Sequence, residues 1–259
     1  MTTLMLMLDG LRPDAIAASE AENLIRFQQR SAYTFTAQSV MPTITLPCHM
    51  TLFHSIPAAR HGVIDNEWRT MVRPVRSLYE KLKAHDKRCA AIYNWEVLRD
   101  LGRPGSLYMS YFIDVCYQAD GDHYMADVAV DYVQRDDLDF IFVYFTTIDL
   151  AGHAYGWMAD GYLEQVRVVD GLVGRVLDAC PDDMTVLMLA DHGGHDRTHG
   201  TDSPEDMTIP WMIAGPRIKS NYVIQESVSL LDAAPTIVST LGLVPDPEWE
   251  GRVIEEIYI

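Results

Sequence analysis

Seven side chains in this sequence have types and spacings suited to metal-assisted chemistry. The densest group lies in Asp191-His192-Gly193-Gly194-His195-Asp196-Arg197-Thr198-His199, where Asp191 and three imidazoles fall within nine residues, directly after the apolar run Thr185-Val186-Leu187-Met188. Adjacent Asp and His at a strand end can offer oxygen and nitrogen to one divalent ion, and the glycine pair lets the chain turn away closely beside it. Asp149 and His153 follow the strongest apolar run of the chain, residues 139–145. Their four-residue spacing puts both on one side of a helical turn, where they can chelate one ion. Asp9 closes a third apolar run, residues 4–8. Thr45 precedes Pro47, a residue suited to the first turn of a helix. Amide hydrogens and the dipole favour an anion there, so the Thr45 hydroxyl is either a cap or a nucleophile.

The elements that must position these groups alternate between short apolar runs and amphipathic stretches. Strands are expected at residues 4–8, 32–39, 88–93, 107–113, 139–145, 185–188 and 209–214. Helices are expected after Leu11-Arg12-Pro13-Asp14 through Arg30, from Pro47 to His54, and over residues 75–85, 124–134, 166–177 and 229–238. Asp14 is a capping candidate. No internal repeat, low-complexity tract or linker marks a boundary, so residues 1–259 read as a single α/β domain with three layers around a mostly parallel sheet. In such a sheet the site lies beyond the carboxyl ends of the strands, and Asp9, Asp149 and Asp191 each follow one.

Composition narrows the function. With 48% hydrophobic and 22% charged residues the chain is globular in type. A formal net charge of -17, from 37 acidic and 20 basic residues, argues against a nucleic-acid polymer as partner. Two divalent ions would cancel part of the acid and attract a small anionic substrate. Cys48, Cys89, Cys116 and Cys180 form no CxxC pair and read as reduced thiols of a cytoplasmic protein. The apolar amino terminus is too short to span a membrane, and no membrane partner is expected. Nothing in the sequence sets the oligomeric state.

Taken together and in order, these residues resemble the alkaline phosphatase superfamily, and within it the type I phosphodiesterase and nucleotide pyrophosphatase group. The most specific segments are Pro42-Thr43-Ile44-Thr45-Leu46-Pro47-Cys48-His49, which resembles the family's nucleophile segment, and His61-Gly62-Val63-Ile64-Asp65-Asn66 after it. Asp149-Leu150-Ala151-Gly152-His153-Ala154-Tyr155-Gly156 and Asp191-His192-Gly193 are equally characteristic. The resemblance implies two divalent metal ions, zinc with manganese as the alternative. Asp9, Asp191, His192 and the Thr45 oxygen would hold one, and Asp149, His153 and His199 the other. It also implies that Thr45 is the nucleophile, that a covalent phospho-threonine forms, and that Asn66 donates to a phosphate oxygen.

The sequence departs from that pattern in places. Cys48 stands where Asn is common, and Leu46 replaces an aromatic that packs on the base in nucleotide-cleaving members. Tyr144 stands where those members place a base-stacking Tyr. Only six residues separate His192 from His199, which leaves no room for the family's capping insertion. His195 is the alternate ligand to His199, although Thr198-His199-Gly200 resembles the His-Gly ligand motif. His49, His54 and His61 are expected to be structural, and Trp68 and Trp95 to lie in the core or line a pocket. Residues 67–137 are open as a lid. A phosphonoacetate hydrolase or a phosphomonoesterase could use the same site, and a non-catalytic metal-stabilised binding protein is the reading from another class. A sulfatase would need a Cys/Ser-x-Pro-x-Arg segment. The mutase pattern Gly-Thr-Asp-His is here Gly200-Thr201-Asp202-Ser203.

Overall fold

The computed structural model describes residues 2–259. Eight strands form one sheet: β1 (Thr3–Leu8), β2 (Ala32–Gln38), β3 (Cys89–Tyr93), β4 (Met109–Phe112), β5 (Phe140–Phe145), β6 (Thr185–Leu189), β7 (Thr208–Ala214) and β8 (Tyr222–Val223), in the order β4-β3-β5-β1-β6-β7-β2-β8. Only β7 runs against the others, pairing antiparallel with β6 on one side and β2 on the other. The carboxyl ends of β1, β2, β5 and β6 therefore lie at one edge of the sheet. Every residue of β1, β5 and β6 is buried. Helices cover both faces of this part of the sheet, which explains why these strands read as continuous apolar runs without alternation.

Among the described residues ten α-helices accompany the sheet: α1 (Pro13–Ala18), α2 (Glu22–Gln29), α3 (Thr45–His54), α4 (Ala58–His61), α5 (Leu78–Lys83), α6 (Gly121–Val133), α7 (Thr147–Tyr155), α8 (Asp160–Ala179), α9 (Pro204–Met207) and α10 (Ala233–Thr240). One layer gathers α1, α2, α6 and α7 around α8, and the other gathers α4, α5 and α10 around α3. The valines at 166, 169, 173 and 176 are the buried stripe of α8. α3 is buried along its whole length, including its three polar residues Thr45, His49 and Thr51 and the terminal His54.

Several boundaries differ from expectation. The helical segment expected after Asp14 begins already at Pro13 and is two helices, broken at Ser19-Glu20-Ala21 where Glu20 takes a positive φ of 55°. Asp14 caps nothing and instead accepts from the Arg12 guanidinium. α3 begins two positions before Pro47, so Thr45 is itself in the first turn and Ile44 is the cap. α5 starts only at Leu78, because a capping box between Ser77 and Glu80 fixes its amino end. The carboxyl-terminal helix is split into a tight turn over Leu230–Asp232 and α10.

Candidate metal centre

The sheet edge brings six of the predicted ligands together around Thr45. Asp9 follows β1, and its N–H donates to Phe145 O at 2.9 Å, which ties it to the end of β5. Asp191 follows β6, and its Oδ1 accepts from the amides of Gly10 and His192 at 3.3 and 3.0 Å. Its other oxygen, Oδ2, lies 3.5 Å from His192 Nε2, while Asp9 Oδ1 lies 3.3 Å from the same nitrogen. The Thr45 hydroxyl donates to His192 Nε2 at 3.3 Å. A step away, His199 Nε2 lies 3.5 Å from Asp149 Oδ1, His153 Nε2 lies 3.5 Å from Asp149 Oδ2, and the two Nε2 atoms are 3.1 Å apart. The ligand atoms of Asp149, His153 and His199 all fall within 4.8 Å of one another, as do those of Asp9, Asp149 and His192. Asp149 thus belongs to both groups.

The protonation of these rings follows from their other nitrogens. Nδ1–H of His192 donates to Gly193 O, that of His153 to Arg197 O, and that of His199 to Thr43 O, at 2.8, 3.0 and 2.7 Å. In the neutral form of each ring Nε2 is therefore the nitrogen with the lone pair. These lone pairs face carboxylate oxygens, and Asp9 Oδ1, Asp149 Oδ1 and Asp191 Oδ2 are buried without a hydrogen-bond partner. Acceptors facing acceptors in a buried site repel, and cations are what satisfies such a set. The acidities carry the same strain. Burial, then the neighbouring Asp191 and Asp149 carboxylates, push the Asp9 pKa well above its ordinary value. Burial raises that of Asp149. Burial also opposes ionisation of Asp191, but His192 and His49 outweigh it and hold that carboxyl below the usual range. His199 is driven down to about 3, by burial first and His192 second. The donor set of carboxylates and imidazoles in this geometry fits divalent metal ions.

Close approach at two glycines makes the cluster compact. A Cβ on Gly10, which has a φ of +71°, would sit 3.0 Å from Cα and Cβ of Asp149. A Cβ on Gly193 would sit 2.0 Å from the Glu205 carbonyl oxygen. Gly193 is thus needed for packing and not for a left-handed turn.

The other predicted residues resolve as follows. Asn66 is brought to the cleft, where its Oδ1 accepts from the Leu46 amide at 3.0 Å and its NH2 has no hydrogen-bond partner among the described residues. His195 is held away from the cluster, its Nδ1–H donating to Asp206 Oδ1 at 2.7 Å. The group with Asp149 and His153 is completed by His199 and not by His195. His49, His54 and His61 each find a structural partner: Thr45 O, Val75 O and the Thr51 hydroxyl. Tyr144 is buried at the wall of the cleft, and its hydroxyl donates to Asp9 Oδ2. Leu46 is wholly buried. Trp95 lines the cleft and Trp68 packs against the core. Residues 67–137 contribute β3, β4, α5 and α6 to the main body, and their loops wall the cleft with Trp95, Cys116 and Tyr117. They are not a separate lid.

A model of the family described as type I phosphodiesterase / nucleotide pyrophosphatase matches residues 3–207. The chain belongs to this family. It is accordingly a member of the alkaline phosphatase superfamily. Among solved structures, a murine ectonucleotide pyrophosphatase/phosphodiesterase 5, an inactive form in complex with AMP, superposes with a TM-score of 0.86 at 12% identity, covering 100% of both chains. A putative sulfatase from Bacteroides thetaiotaomicron superposes with a TM-score of 0.81 at 16% identity, covering 99% of this chain and 74% of that one. At such identities the likeness is one of fold. By sequence, a 2,3-bisphosphoglycerate-independent phosphoglycerate mutase of Staphylococcus aureus is 31% identical over 129 residues, which is 49% of this chain and 25% of the mutase. The chain spans about a quarter of the length of the curated relatives it matches.

Two acidic residues that no sequence motif announces organise the candidate site. Asp122, at the start of α6, accepts from the Thr146 and Thr147 amides, the Thr147 hydroxyl and Asn94 Nδ2. It caps the amino end of α7, which carries Asp149 and His153. Asp206 accepts from His195 and from both the amide and hydroxyl of Thr201, and its carbonyl accepts from the Gly193 amide. It holds the loop between His192 and His199. Ser203, which stands where the mutase pattern has His, accepts from the Asp206 amide as the cap of α9. Asp122 and Thr146 are 24 positions apart, so no local motif announces the contact.

Among the described residues no helix is long and apolar enough to cross a membrane. All four cysteines are free.

Proposed function

We propose that this chain is a two-metal phosphodiesterase in which Thr45 is the nucleophile. The observation that carries this reading is the Thr45 hydroxyl in the first turn of α3, 3.3 Å from His192 Nε2 and beside three buried carboxylate oxygens that lack partners. Asp9, Asp191, His192 and the Thr45 oxygen would hold one ion, and Asp149, His153 and His199 the other, with zinc the metal that this donor set suits and manganese the alternative. Bound there, the ions would lower the pKa of the Thr45 hydroxyl and neutralise charge on the departing oxygen.

The chain's own residues do the rest. Thr45 Oγ1 forms a bond to phosphorus while the bond from phosphorus to one ester oxygen breaks, and that group leaves as its alcohol or phenol once protonated. Water then cleaves the phospho-threonine, supplying the new P–OH and restoring the Thr45 proton. The amino end of α3 favours the anion at this position. The Leu46 amide fixes the Asn66 carboxamide oxygen, which turns the Asn66 NH2 toward a non-bridging phosphate oxygen.

Charge favours a diester over a monoester. The cleft is lined by Asp9 and Asp149 and by no Lys or Arg among the described residues. Two divalent ions set against Asp9, Asp149 and Asp191 leave one net positive charge, which matches a singly charged diester better than a doubly charged monoester or phosphonate. Placement in the cytoplasm, action as one domain and independence of nucleic acid and membrane belong to the same reading. The decisive comparison is hydrolysis of bis-p-nitrophenyl phosphate and p-nitrophenyl phosphate by zinc-loaded protein, with Thr45→Ala beside it. Faster, Thr45-dependent diester turnover supports the proposal. Binding of metal and phosphate esters without turnover of either would make the chain a binding protein on a hydrolase scaffold.

A further inference from the structure

The cleft above the metal centre is small, about 200 Å3. That is below the roughly 300–1,000 Å3 usual for sites that enclose a whole ligand, so the outer part of a substrate must rest on the rim. Two aromatic side chains stand there. Trp95 follows β3, and Tyr117 follows β4 just after Cys116, at the carboxyl ends of strands parallel to β5. Tyr117 is 79% exposed, and neither its hydroxyl nor the Trp95 indole N–H has a hydrogen-bond partner among the described residues. Leu150 and Cys116 add an apolar floor, and no cationic side chain lines the cleft. The surface next to the phosphate position is therefore suited to a flat apolar group and not to a further phosphate. Leu46 and Tyr144 are not part of this rim, the one wholly buried and the other buried in the cleft wall with its hydroxyl on Asp9.

We propose that Trp95 and Tyr117 form a platform for an aromatic ester group, so that the preferred substrates are phosphodiesters bearing an aryl or similarly flat ring. This inference rests on the phosphodiesterase reading. Stacking and edge contacts on exposed aromatics would supply the preference.

The test is calorimetric titration of zinc-loaded Thr45→Ala protein, which holds diesters without turning them over, with diphenyl phosphate and dimethyl phosphate. Diphenyl phosphate is expected to bind at least about ten-fold tighter. Adding Trp95→Ala or Tyr117→Ala is expected to lower that ratio by about three- to ten-fold each, whereas Tyr117→Phe, which keeps the ring, retains it. Equal affinities for the two diesters, or a ratio that both alanine variants leave intact, would overturn the platform. Turnover of bis-p-nitrophenyl phosphate by protein with Thr45 intact separates the two claims. If turnover depends on Thr45 while the ratio ignores Trp95 and Tyr117, only the platform fails. If the ratio depends on the two aromatics but no turnover occurs, the platform stands and the hydrolase reading fails.

Discussion

The Nε2 atoms of His153 and His199 face each other at 3.1 Å, and each ring has already given its Nδ1 hydrogen to a backbone carbonyl. Two lone pairs at that distance repel unless a cation joins them, and Asp149 Oδ1 lies 3.5 Å from one of them with no other partner. Metal analysis of zinc-reconstituted protein should therefore find two ions per chain, and His199→Ala should retain about one. His195→Ala should retain both, because its Nδ1 serves Asp206. An equal loss in the two variants would assign the ligand wrongly.

Metal should also act as a fold ligand. A site occupied at 100 times its Kd adds about 2.7 kcal/mol to stability, so zinc should raise the unfolding temperature and a chelator should lower it. A thermal melt that is indifferent to zinc up to millimolar concentration would contradict a metal centre at these residues.

Asp122 is the anchor of α7, with four donors converging on its buried carboxylate. Asp122→Ala leaves those donors unsatisfied and should cost about 3 kcal/mol or more in urea unfolding. Because α7 carries Asp149 and His153, the variant should also bind the second metal more weakly, whereas a residue of purely global effect would weaken both sites alike.

These positioning residues mark where the sequence stopped being legible. The strands β1, β5 and β6 can be read because burial on both faces leaves continuous apolar runs, and Asp9, Asp149 and Asp191 stand out as candidate ligands because they follow those runs. The Asp-x-x-x-His spacing of Asp149 and His153 survives as one face of α7. What could not be read depends on which side chains meet once the chain has folded: the Asp122 cap on α7, 24 positions from Thr146, the Asp206 clasp on His195 and Thr201, and the bond from Tyr144 to Asp9 at the wall of the cleft. The start of α3 was displaced for a related reason. Pro47 is tolerated throughout the first turn, so its presence set the helix end only to within a few residues.

Acid should destabilise the chain through His54. Its ring is buried with Nδ1–H on Val75 O, and burial drives its pKa from 6.5 down to about 4. Above pH 6.5 the group is neutral in both states and its contribution to stability is intact. As pH falls from 6.5 toward 4 the unfolded chain takes up a proton that the folded chain refuses, so stability declines, by about 3 kcal/mol in all. Urea unfolding of His54→Gln across this range should show a shallower decline than the parent protein; identical slopes would remove His54 as the cause.

Gly193→Ala tests the packing of the ligand loop. Its Cβ would meet the Glu205 carbonyl at 2.0 Å, a backbone atom that cannot swing aside. The variant should lose about 2 kcal/mol or more of stability and bind less metal at the Asp191 and His192 side. Full metal content at unchanged stability would show that the loop has slack.

The most direct measurement of the central claim is to quench zinc-loaded protein in acid during turnover of bis-p-nitrophenyl phosphate and to map the adduct by mass spectrometry. The account predicts a p-nitrophenyl phosphoryl group on the peptide containing Thr45, absent from Thr45→Ala. Undiminished turnover by Thr45→Ala, or an adduct on another residue, would contradict it.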